Sequence, residues 1–124
     1  MSEYTENESN EIFKLATEKR DANQYQDALG LLLSIYHSPK MKTSAAFHAF
    51  IAHMYMEIGD SDQAVNNFKK SVEIAPTWDV SSLGLFHALW EKNEVDSAFE
   101  EIRRFTKAGG FNTYKDILRG IIKA

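Results

Sequence analysis

The chain has 124 residues and a formal net charge of −4, with 44% apolar residues, 26% charged residues and no cysteine. That length fits one domain and that composition an ordinary globular protein, while the missing thiols exclude disulfides, thiolate metal sites and a cysteine nucleophile. Only two prolines and six glycines interrupt it, so an all-α fold is expected, and no apolar run nears the roughly 20 residues that span a bilayer.

The chain opens on MSEYTENESNE, which holds Glu3, Glu6, Glu8 and Glu11 but no Lys or Arg. It lacks the basic start and apolar centre of a signal peptide, so a cytoplasmic location is expected. Residues 1–8 have no apolar anchor except Tyr4 and read as a disordered acidic tail ahead of a single domain over 9–124. Ile12 to Lys19 and Tyr25 to Tyr36 then read as two helices, with a turn at Asn23. HSPKMK (residues 37–42) reads as a loop.

From Ala45 to Ile58, apolar Phe47, Ile51, Met54, Tyr55 and Ile58 recur at helical spacing. Gly59 supplies a left-handed helix end, Asp60-Ser61 before Gln63 an N-cap, and Ala64, Val65, Phe68, Val72 and Ile74 the stripe of the next helix. Pro76 follows its end. A third pair runs from Leu85 to Trp90 and from Val95 to Phe105, turning at Asn93. After Gly109-Gly110 a last helix over 112–123 is expected, capped by Asn112 or Thr113, with Tyr114, Ile117, Leu118, Ile121 and Ile122 on one face. Lys115, Asp116, Arg119 and Lys123 fill the other. A helix capping the last repeat is the first reading; a basic amphipathic helix docking on a membrane or partner is the second.

These pairs repeat. Ala28, Ala64 and Ala98 are 36 and then 34 residues apart. The same offsets join Leu15, Ile51 and Leu85; Leu29, Val65 and Phe99; and Leu32, Phe68 and Ile102. The register sets repeats at about 9–42, 43–78 and 79–110, with a two-residue insertion in the HSPKMK loop, where length is tolerated. Residues 12–124 hold 14 acids and 14 bases, a neutral body that suits no nucleic-acid partner.

The middle copy resembles the tetratricopeptide repeat through the alanine after Ile51, then Tyr55, Gly59, Ala64, Phe68 and Pro76. The resemblance covers residues 9–108. The first copy departs at Lys19, where the family has a tyrosine-like residue, and the third at Phe86, where it has a small one. The resemblance implies a short α-solenoid of three helix pairs plus a capping helix, whose first helices line a concave groove. In this register that lining is Phe13, Lys14, Thr17 and Arg20; Ala49, Phe50, His53, Met56 and Glu57; and Leu83, Gly84, His87, Trp90 and Glu91. Phe13, Phe50, His53, Met56, Leu83, His87 and Trp90 are the expected partner-binding residues, an apolar strip with histidines on its flank. A subgroup of the family clamps a carboxylate with Lys and Asn where this chain has Phe13, Thr17, Ala49, Phe50 and His53, so carboxylate capture is not expected.

No nucleophile elbow, phosphate-cradling loop or metalloprotease pattern occurs, and no cofactor is expected. His53 and Glu57, repeated 34 residues later by His87 and Glu91, are the one metal candidate, against an ordinary reading as polar groove residues. The expected function is therefore a non-catalytic protein-binding adaptor or chaperone. Its partner is another protein or peptide, with no nucleic acid and no membrane, and self-association is left open. The alternative is a small cytoplasmic inhibitor, such as a toxin-neutralising immunity protein, whose acidic tail steers it to a basic target.

Overall fold

Asn23, Gly59, Asn93 and Gly109 adopt positive φ, at 61°, 86°, 62° and 98°. Glycine meets no Cβ penalty there and asparagine tolerates the conformation next best. In three of these turns the following amide reaches back to the carbonyl five residues earlier: Gln24 to Lys19 at 2.8 Å, Asp60 to Tyr55 at 2.9 Å and Glu94 to Leu89 at 2.9 Å. The carbonyls left over at the helix ends are satisfied in the same way each time.

The computed structural model describes residues 4–109 and 111–123, and the side chains of these other than 111, 112, 116 and 121–123. Among the described residues the elements are α1 (Glu6–Asp21), α2 (Tyr25–Ser34), α3 (Pro39–Lys42), α4 (Ala45–Glu57), α5 (Ser61–Ile74), α6 (Asp79–Glu91), α7 (Val95–Lys107) and α8 (Phe111–Lys123). The pairs α1–α2, α4–α5 and α6–α7 are the three repeats, and α8 follows them. This is the all-α short solenoid that the resemblance to the tetratricopeptide repeat implies.

Two clusters make the core. Ala16, Ala28, Leu32, Ile35, Met41, Phe47, Ile51 and Met54 belong to the first; Ala52, Ala64, Phe68, Phe86, Ala98, Phe105 and Tyr114 belong to the second. Helix α4 feeds both and is therefore apolar on more than one face, as a central helix must be. Ala28, Ala64 and Ala98 are all fully buried, which fits their shared register. Replacing Ala64 with Leu is expected to overpack this core and cost about 1–3 kcal/mol in urea unfolding; unchanged stability would overturn the register.

The structure departs from expectation at three places near the N-terminus. Helix α1 starts at Glu6, so residues 5–8 are not a disordered tail. Thr5 caps it, its hydroxyl accepting from the Glu8 amide at 3.1 Å while the Glu8 carboxylate accepts from the Thr5 amide at 2.9 Å. The bond from the Thr5 amide, with the Thr5 side chain adding to it, holds the Glu8 carboxyl below its ordinary value. The HSPKMK segment contains the single turn α3, which buries Met41 in the first cluster. Leu15 is 41% exposed whereas its repeat equivalents Ile51 and Leu85 are buried, since α1 opens the row of described helices.

Small hydroxyls stitch the pairs together. Ser71 donates to the Ala45 carbonyl at 2.8 Å and lies 2.6 Å from the Ser81 hydroxyl. Further along, Ser82 donates to buried Glu101 at 2.6 Å. Its one hydrogen is thereby committed, so the Tyr114 phenol, also 2.6 Å away, is the donor to Ser82. Arg104 completes the cluster with two bonds to Glu101, at 2.8 and 2.6 Å, and one to the Pro76 carbonyl at 2.9 Å. Helix α8 is thus fastened by Tyr114, with Ile117 and Leu118 packed beside it. This is the capping arrangement; Asn112, Ile121, Ile122, Asp116 and Lys123, named for it in the sequence, lie outside the described side chains. Phe86 occupies the family's small-residue position because its ring meets Tyr114 of α8, at 5.6 Å.

Candidate binding groove

Helical spacing puts Phe13, Thr17 and Arg20 on one face of α1, and Ala46, Ala49, Phe50 and His53 on one face of α4. Together with Trp78 and Val80 at the start of α6, they enclose an open cleft of about 280 Å³. Phe13 meets Phe50 edge-on at 5.5 Å, an orientation aromatic quadrupoles favour. The Arg20 guanidinium lies 5.0 Å above the Phe50 ring. The alanines make the cleft deep, and the rings make it apolar.

His53 sits edge-on to Phe68 at 4.9 Å. Although the residue as a whole is exposed, lost hydration at the ring holds its pKa below the ordinary histidine value. Glu57 pulls the other way, while Arg20 and His87 add to the depression. Arg20 brings a permanent positive charge to the cleft lining. Beyond His53, Met56 and Leu83 are half-buried against the second core cluster. Trp90 closes the row, 38% exposed and held by Phe86 at 5.7 Å and Phe99 at 6.1 Å.

No protein-family model and no curated protein matches the sequence. Solved structures do match in shape. The type III secretion translocator chaperone SycD of Yersinia enterocolitica aligns over 98% of this chain and 91% of its own, with a TM-score of 0.77 and 12% identity. The first TPR of Spaghetti (RPAP3), bound to an HSP90 peptide, aligns over 96% and 99%, with a TM-score of 0.73 and 10% identity. The fold is that of the tetratricopeptide repeat. MamA is also similar, at a TM-score of 0.72 and 14% identity over 90% of this chain, which spans 61% of MamA's length.

Within this tetratricopeptide-repeat fold, Phe13, Thr17, Arg20, Ala49, Phe50 and His53 line the cleft, while Met56, Glu57, Leu83, His87, Trp90 and Glu91 lie outside its lining. Two further residues of the expected lining are also placed elsewhere. Lys14 belongs to a separate surface cleft with Glu11, Ile12, Leu15 and Glu18. Gly84 is buried against Phe68 instead of lining the groove. Nor do His53, Glu57, His87 and Glu91 form a metal centre: among the described residues no three His, Asp or Glu side chains are disposed to hold an ion. The histidine–glutamate pairs stay on the exposed surface, each four residues apart on its own helix.

Sequence reasoning missed Ala46, Trp78 and Val80. Val80 stands 34 residues after Ala46, so the repeat register itself pairs them. Trp78 lies in the connection before α6, where helical periodicity gives no signal. No helix among the described residues is long and apolar enough to cross a membrane.

Proposed function

We propose that this chain is a non-catalytic protein-binding module, an adaptor or chaperone that holds an apolar or amphipathic segment of a partner protein in its concave groove. The observation that carries this reading is the open apolar cleft lined by Phe13, Phe50, Trp78 and Val80, with Trp90 also 38% exposed on α6. Large apolar groups left accessible on one protein favour a macromolecular ligand. Aromatic anchors of this kind dominate interface energetics. The wall offers no nucleophile–base pair, and its one depressed histidine lacks a partner to activate, which supports binding over catalysis.

Photo-crosslinking tests the reading. A crosslinker at Val80 or Trp90 is expected to trap the same partner, and one at Ile74, exposed but outside the groove lining, is expected to trap none. Equal yields from all three positions would overturn it. Once the partner is in hand, Trp90→Ala is expected to weaken binding by at least about 2 kcal/mol. Its cost in stability should stay below the roughly 3–5 kcal/mol of a fully buried aromatic, because Trp90 is already part-solvated.

A further inference from the structure

We propose that the cleft at the α1–α4–α6 junction is a socket for one aromatic side chain, presented by an internal segment of a partner that carries carboxylates next to that ring. The proposal rests on the groove reading above and makes it specific. Three observations lead to it. The first is size: at about 280 Å³ the cleft falls short of the roughly 300–1,000 Å³ typical of whole small-molecule ligands, and it suits a single large side chain.

The second is shape and surface. Exposed Ala46 and buried Ala49 leave room among three aromatic side chains of the same lining, Phe13, Phe50 and Trp78. Aromatic neighbours reward an inserted ring over an aliphatic knob. The third is charge. The lining includes one cation, Arg20, and no carboxylate. Arg20 pairs with its sequence neighbour Asp21 at 3.1 Å, but both side chains are well exposed, at 42% and 66%. Such a pair binds its members weakly, so the guanidinium fork remains able to take a partner carboxylate. Its position over Phe50 places that charge beside the ring site.

The two tryptophans of the chain report the two halves of the groove separately. In Trp90→Phe, Trp78 is the sole reporter of the socket. The probe is the acetylated, amidated peptide Gly-Ser-Asp-Phe-Asp-Ser-Gly, which has no terminal carboxylate. It is expected to shift Trp78 emission saturably, with affinity falling as salt rises. The version with Ala in place of Phe should produce no shift, and the version with Lys in place of both Asp should bind at least about tenfold more weakly, equivalent to 1.4 kcal/mol. Ala46→Leu fills the socket from an exposed helix position that leucine tolerates. It should abolish the shift without lowering the melting temperature, and Val80→Lys should do the same by placing a charge at the wall. A shift equal for the Phe and Ala peptides, or one surviving Ala46→Leu, overturns the proposal. An amphipathic leucine-bearing peptide sensed by Trp90 in Trp78→Phe, with Trp78 silent to the aromatic probe, overturns the socket and leaves the groove reading standing. Silence of both tryptophans toward every peptide removes both.

Discussion

Gly84→Ala is expected to destabilise the fold at the upper end of, or beyond, the ~1–3 kcal/mol typical of overpacking. In most helices this change stabilises by about 1 kcal/mol. Here an added Cβ lies 2.1 Å from Cε1 of Phe68 and 2.5 Å from its Cζ. Phe68 cannot swing aside, being 1% exposed and set against His53. Gly30 provides the internal contrast, since a Cβ there meets nothing within 4 Å. Urea unfolding should therefore show Gly30→Ala stabilised and Gly84→Ala strongly destabilised. A shift in the same direction for both would disprove the close approach of α6 to Phe68. Shortening the ring in Gly84→Ala/Phe68→Leu should recover part of the loss, because the two sites are coupled.

Alkaline pH should loosen the C-terminal cap. Burial, with the Glu101 charge nearby, pushes the Tyr114 phenol up to about 12 against the opposing charge of Arg104. In the unfolded chain the phenol titrates near pH 10. A group whose pKa rises on folding contributes stability that is fully present below its unfolded value and disappears as pH climbs through its folded value. The loss should therefore fall between about pH 10 and 12 and amount to about 2–3 kcal/mol. A phenolate there would face Glu101 across Ser82 with no proton left to share. Tyr114→Phe removes the titrating group, so its urea midpoint should vary less steeply over that window than the parent's. Parallel curves would show that Tyr114 does not carry the dependence.

The repeat register was legible because the residues that carry it are constrained by geometry. Ala28, Ala64 and Ala98 recur in fully buried positions, and Asn23, Gly59 and Asn93 recur where φ turns positive. The residues that escaped notice are those whose roles depend on distant partners. Ser82 and Glu101 read as ordinary polar helix residues until folding sets Ser82 between Glu101 and Tyr114, the latter 32 residues away in sequence. Gly84 looked like an open position on a groove helix, and only the depth of Phe68 shows otherwise. At the N-terminus the signal was present. Thr5 and Glu8 have the spacing of a capping box, but the acidic, anchor-poor composition argued for disorder more loudly. The cleft was half legible: α1 and α4 contributed their faces by periodicity, whereas Trp78 entered from a connection that has none.

The repeated hairpin turns bear on how the chain reaches this structure. Connections of three residues, such as 22–24, 58–60 and 92–94, keep the partners of each pair close along the chain. Contact order is correspondingly low, and loop-closure entropy is a small obstacle to each hairpin. Folding in the microsecond-to-millisecond range is the expectation for such local topology. Each hairpin can form as it leaves the ribosome, then dock on the one before it. Helix α4, shared by both clusters, is the junction at which the first docking event joins the second.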